Sequence, residues 1–200
     1  MISPGDWSTA LLAELQAQGL AGPDLANFAS AVGDGSESSV IGKTFTTTDS
    51  GQTSSAGTGT GTGITGIVGI VGATIASAIF ASCTSSFGQS GPDLMKLCTA
   101  VGNACVSVLG TATLNSTHST VYSGSGTIDL NSIDVDGATW GSAIASAGAF
   151  TGPSWTDLAN AIGNACADHV KASGTGSLTI TGSPPPTPVA GSGTGTGTIS

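Results

Sequence analysis

The stretch GPSWTDLANAIGNAC, Gly152 to Cys166, decides how the chain is read, because it occurs in two other forms: GPDLMKLCTAVGNAC from Gly91 and GPDLANFASAVGDGS from Gly22. The three align without a gap. Leu25, Leu94 and Trp155 share a column, as do Val32, Val101 and Ile162, then Gly33, Gly102 and Gly163, then Asp34, Asn103 and Asn164. The copies start 69 and 61 residues apart, which is longer than a common solenoid unit. Each is therefore expected to be a small supersecondary block that stacks on its siblings, with units at 1–64, 65–131 and 132–200.

Working outward from that stretch, each block reads first as a helical hairpin. Trp7, Leu11, Leu12, Leu15 and Leu20 recur at roughly helical spacing from a cap at Asp6, and the chain breaks between Gly19 and Pro23. Pro23 suits the first turn of a second helix, Asp24 complements its positive end, and Leu25, Phe28 and Val32 form its inward stripe. The same signals predict helices at Gly72 to Phe87 and Pro92 to Leu109, then at Gly137 to Phe150 and Pro153 to Lys171.

After each hairpin the pattern turns to β-branched and polar alternation, at Lys43 to Thr48, Thr111 to Tyr122 and Ser177 to Thr181. Every copy then closes on a glycine ladder: GTGTGTGI from Gly57, GSGTI from Gly124 and GTGTGTI from Gly193. Strand side chains alternate in direction, so such a run puts every glycine on one face and every threonine on the other. Gly59, Gly61, Gly63, Gly124, Gly126, Gly193, Gly195 and Gly197 thereby become candidate assembly strands, a bare face on which another backbone can lie. A single tract of this kind is ordinarily a flexible linker; recurrence in three copies, each ending in Ile64, Ile128 or Ile199, favours strands. The fold class expected is α+β: three tandem repeats, each a helical hairpin followed by a Thr/Gly-rich β-hairpin. The SPPPTP run from Ser183 to Pro188 reads as a stiff hairpin tip.

Composition narrows the class further. Of 200 residues, 38% are hydrophobic but only 4% aromatic, against 32 glycines, so core contacts come from small side chains and close backbone approach. Charged residues make up 8%, far below the usual quarter, which fits a surface largely covered in an assembly and predicts an isolated protein that oligomerises or aggregates. Twelve acids against Lys43, Lys96 and Lys171, with no arginine, give a net charge of -9. Phosphate neutralisation needs clustered cations, so direct nucleic-acid binding is not expected, and an acidic membrane surface would repel the chain. Residues 1–7 hold no cation and no apolar run of secretory type, which points to synthesis in a cytoplasm.

One segment invites a membrane reading. Between Gly51 and Pro92 there is no charge, and ITGIVGIVGATIASAIFA, Ile64 to Ala81, is 18 residues long, close to the lower limit for a spanning helix. Basic and aromatic flanks are missing, and the matching element in the other copies carries Asp6 and Glu14, or Asp136. A buried first helix is the favoured reading.

Candidate chemistry is thin. Gly61, Gly63 and Gly66 match a dinucleotide fingerprint, yet no hydrophobic strand precedes them and no acid follows near 20 residues on. Cys166 and His169 lie three apart on a helix and offer half a zinc site, with Cys98 and Cys105 as the other half; against this, Cys105 and Cys166 share an inward column, where cysteines are ordinarily buried hydrophobes. His118 and His169 fall in unrelated elements, and nothing in spacing supports a Cys-His or Ser-His pair. Asp134 and Asp136 flank Val135 before Gly137, where helix capping is the simpler role. Catalytic residues, metal ligands and cofactors are therefore not assigned. Cys83 and Cys98, nearly symmetric about the turn at Gly88 to Pro92, are a candidate disulfide across the second hairpin, with two buried free thiols as the alternative.

Leu158 to Ser200, LANAIGNACADHVKASGTGSLTITGSPPPTPVAGSGTGTGTIS, resembles small Ala/Gly/Thr-rich structural proteins of tailed bacteriophages and related contractile particles, in which a helix with an A-N-A-I-like core runs into a strand and a G-T-G-T-G ladder. The resemblance implies a non-enzymatic virion or phage-tail-like particle component, made in a bacterial cytoplasm and partnered by itself and other particle proteins. The alternative is a membrane-active or surface-exposed particle protein that uses residues 64–81.

Overall fold

The computed structural model describes residues 4–51, 59–64, 67–112, 115–118, 123–129, 133–148, 150–173, 175–181 and 191–199. Six helices carry the body: α1 (Pro4–Ala17), α2 (Leu25–Val40), α3 (Gly72–Phe87), α4 (Pro92–Thr111), α5 (Gly137–Ala147) and α6 (Pro153–Ser173). Their ends follow local chemistry. Gly88 ends α3 in the left-handed region at φ 66, and its N–H returns to the Cys83 and Thr84 carbonyls. Asp136 caps α5, its Oδ2 accepting from the Thr139 N–H at 2.9 Å and the Thr139 hydroxyl at 2.8 Å. Pro92 and Pro153 open α4 and α6 with a residue whose missing N–H costs nothing in a first turn. In the first copy α2 instead begins at Leu25, with Asp24 rather than Pro23 at its threshold.

Each helix commits one face to the core. Trp7, Leu11 and Leu15 recur every fourth residue on α1, as do Ile75, Ile79 and Cys83 on α3 and Ile162, Cys166 and Val170 on α6; all are fully buried. The helices pack as the hairpins α1·α2, α3·α4 and α5·α6, then α2 on α3 and α4 on α5, and α1 on α6 closes a ring. Small residues allow close approach at the seams. A Cβ on Gly102 would collide with the Gly72 carbonyl, and one on Gly163 would lie 2.7 Å from Gly141 Cα and 2.5 Å from Gly137 O. Both glycines belong to the one aligned glycine column.

The α+β class with a β-hairpin closing each unit is corrected by this structure. The packed body is helical: among the residues whose side chains are described, the core comes from the six helices with Ile67, Ile70, Ala112, Ile133 and Val135 beside them. The physical reason is that the helices carry the chain's continuous apolar faces, whereas the Gly/Thr tracts carry few large apolar side chains, so helix packing dominates burial. Extended backbone is confined to the connecting segments β1 (Thr44–Gly51), β2 (Gly59–Ile64), β3 (Asn115–His118), β4 (Ser123–Asp129), β5 (Thr175–Thr181) and β6 (Gly191–Ile199). These do not make three separate hairpins. They join antiparallel in the order β3-β2-β1-β6-β5-β4; β3 and β4, the pair expected to form the second hairpin, approach one another but share no hydrogen-bonded ladder among the described residues.

The apolar segment 64–81 is not one helix. Ile64 ends β2, α3 starts only at Gly72, and Ile67, Ile70, Ile75 and Ile79 are all buried in the body. Among the described residues the helix long and apolar enough to cross a membrane is α4, with 44% of its most apolar window buried.

Candidate functional site

The three aligned segments bring their first helical turns to the same end of the ring. Leu25, Leu94 and Trp155 occupy one column, and Phe28, Leu97 and Leu158 the column three residues on, which a helix places on the same face. All six line a single open cavity of about 700 Å³, together with Leu20 and Phe150. Leu25 and Phe28 were expected to point into the core with Val32; the structure buries Val32 and leaves the other two half-exposed in the cavity wall. Its size falls within the range of sites for small apolar groups.

The third copy fixes the geometry of this mouth. The Trp155 indole Nε1–H donates to the Ala145 carbonyl at 3.2 Å, and the ring leans on Phe150 at 4.9 Å between centroids. Trp155, largely buried, is thus held in place at the cavity wall. On the rim, the column before Leu25 contributes Asp24, Asp93 and Ser154, all exposed. Lys96 Nζ bonds Asp93 Oδ1 at 3.0 Å while lying 6.0 Å from the Phe150 ring centroid. The arrangement can hold an apolar group behind a carboxylate rim. A nucleophile activated by a base is not among the residues lining it.

A second cluster lies inside the body. Ser36, Cys105 and Cys166 fall in one aligned column, all three fully buried. Burial pushes the Cys105 thiol up to about 12, with the Trp140 indole N–H and the Ser36 hydroxyl opposing it. Cys166 is raised well above the ordinary thiol value by burial and by Cys105, with the Trp7 indole opposing. Trp7 Nε1, Trp140 Nε1 and Ser36 Oγ make no hydrogen bond; the groups set against them are the Cys166 thiol for Trp7 and the Cys105 thiol for Trp140 and Ser36, and sulfur is a weak acceptor. His169 stacks beside Trp7 at 4.9 Å, 3% exposed, its Nε2 also without a hydrogen bond, and burial lowers its pKa. Such thiols are inert packing groups rather than nucleophiles.

The residues singled out from sequence are placed as follows. Cys83 and Cys98 face one another across the α3·α4 hairpin as buried free thiols; burial raises both, Cys98 to about 12 with Cys83 adding to it. Among the described residues no group of three or more His, Cys, Asp or Glu is placed to hold a metal ion. His118 ends β3 and His169 lies on α6, and the SPPPTP run lies outside the described residues. The ladder glycines pair within the chain. Gly59 and Gly61 sit on β2 opposite His118 and Ser116 as well as Gly51 and Asp49, and Gly63 follows on the same strand. Gly124 and Gly126 oppose Ile180 and Leu178. Gly193, Gly195 and Gly197 on β6 oppose Asp49, Thr47 and Phe45, and Gly195 and Gly197 are paired on the other side too, with Ile180 and Leu178. The backbone groups of β2 and β6 are therefore turned to neighbouring strands of the same chain on both sides.

The mouth was missed in sequence, although its signal was there: two adjacent apolar columns one turn inside the same Gly-Pro break in all three copies. No family model, no curated protein and no solved structure matches the chain.

Proposed function

We propose that this chain is a non-enzymatic structural subunit of a phage virion or phage-tail-like particle, one that docks onto its neighbours through the apolar mouth at one end of its helical ring. The observation that supports it most is the convergence of three aligned segments on one open cavity: six equivalent apolar positions line it behind an acidic rim, five of them partly exposed and Trp155 buried, while the thiols and His169 are spent in the core. Three hairpins closed into a ring give one chain the layout that a trimer of hairpins would have. Exposed apolar surface of this kind marks an interaction site. Assembly through the glycine ladders is the weaker part of the reading, because most of those strands already have partners on both sides.

The test is whether the chain belongs to a particle. Particles banded on a density gradient from the producing cells should contain it at a fixed stoichiometry that survives a second gradient. Recovery of the chain only in slow-sedimenting fractions removes the proposal.

A further inference from the structure

We infer that the mouth is a receptor for a short basic peptide segment of a partner protein, one that inserts an apolar anchor between the three hairpins and lays flanking lysines or arginines on the rim. The chain has nine aromatic residues in all, three Trp, one Tyr and five Phe. Three of them, Phe28, Phe150 and Trp155, line this one cavity. Large rigid side chains placed at an opening, in a chain otherwise built from small residues, are the usual anchors of a binding hot spot.

Charge selects the occupant. The residues lining the mouth include Asp24 and Asp93 and no cation; Lys96, beside it, is bonded to Asp93, which leaves Asp24 to set the sign of the rim. Around it lies a molecule of net charge -9. A second copy of this chain would bring the same acidic rim against it, and an acidic lipid surface would be repelled. A peptide with apolar centre and basic flanks meets both the cavity and the rim. The particle reading enters only as the source of such a peptide, and binding is measured on the isolated chain.

The probe is the capped peptide acetyl-Lys-Leu-Phe-Leu-Lys-amide, set against its counterpart with both lysines replaced by glutamates. Binding is followed by titration calorimetry and by tryptophan emission, in which Trp155 is the responsive fluorophore because Trp7 and Trp140 are wholly buried. The basic peptide is expected to bind about tenfold more tightly at low salt, with the ratio shrinking as salt screens the rim. In Asp24→Lys/Asp93→Lys, two exposed substitutions that leave the core untouched, the preference should reverse. Leu25→Gln should weaken both peptides, and should it fail to fold, the rim variant decides alone. No binding of the basic peptide, equal binding of the two peptides, or a preference unchanged in the rim variant overturns the inference. Peptide binding by a chain that never co-purifies with particles would keep the mouth and remove the particle reading.

Discussion

Replacing Gly163 by alanine sets two effects of opposite sign against each other. Gly163 lies within α6, and on propensity alone an interior Gly→Ala change stabilises a helix by about 1 kcal/mol. The new methyl, however, would lie 2.5 Å from the Gly137 carbonyl oxygen and 2.7 Å from Gly141 Cα, and closer still to Gly141 N. All three obstacles are backbone, so no side chain can rotate aside, and α5 must move off α6. Overpacking of a tight core costs roughly 1–3 kcal/mol, and with main chain on the far side the upper end applies. The net expectation is a loss of about 2 kcal/mol, a fall of about 4–8 °C in melting temperature for a chain of this length. Gly110→Ala is the control. It sits near the end of α4 with nothing within 4 Å of the added methyl, so it should stabilise by about 0.5 kcal/mol. Urea unfolding followed by circular dichroism, with an unchanged m-value, gives both numbers. A Gly163→Ala protein as stable as the parent would refute the claim that this column exists for close helix approach.

Three further outcomes are expected. Burial holds His169 below its ordinary 6.5, opposed by Asp6; the unfolded chain then takes up the proton more readily, so stability is full above about pH 6.5 and is lost as pH falls below it. Urea midpoints should drop between about pH 7 and pH 5, less so in His169→Gln, and a pH-independent midpoint in the parent contradicts the burial of His169. With Cys98 and Cys105 pushed up to about 12, the native protein should resist a thiol-specific disulfide reagent and release four thiols on denaturation; rapid native labelling defeats this, and two thiols instead of four would reveal a Cys83–Cys98 bond. Asp136→Ala should lower the melting temperature by removing the α5 cap, whereas an Asp134→Ala control should not; equal behaviour of the two denies Asp136 its role.

What the sequence by itself determined was local. Helix starts at Pro92 and Pro153 and a helix end before Gly88 were legible because proline and glycine act on their own backbone, whatever surrounds them. Inward faces such as Val101 with Cys105, or Ile162 with Cys166, could be read from a spacing of four. Only the tertiary structure decided how those pieces meet. Gly/Thr alternation announced extended backbone, but hydrogen-bonded strands are chosen over long separations, so the pairing of β1 with β6 left no mark in either segment. For the same reason the expected α+β units gave way to a helical body, since burial is driven by elements with continuous apolar faces and the glycine tracts carry few large apolar side chains. The mouth followed the same rule: Leu25, Leu94 and Trp155 look like core in any one helix, and only closing the ring of α1 on α6 leaves them at an opening that three hairpins share but do not fill.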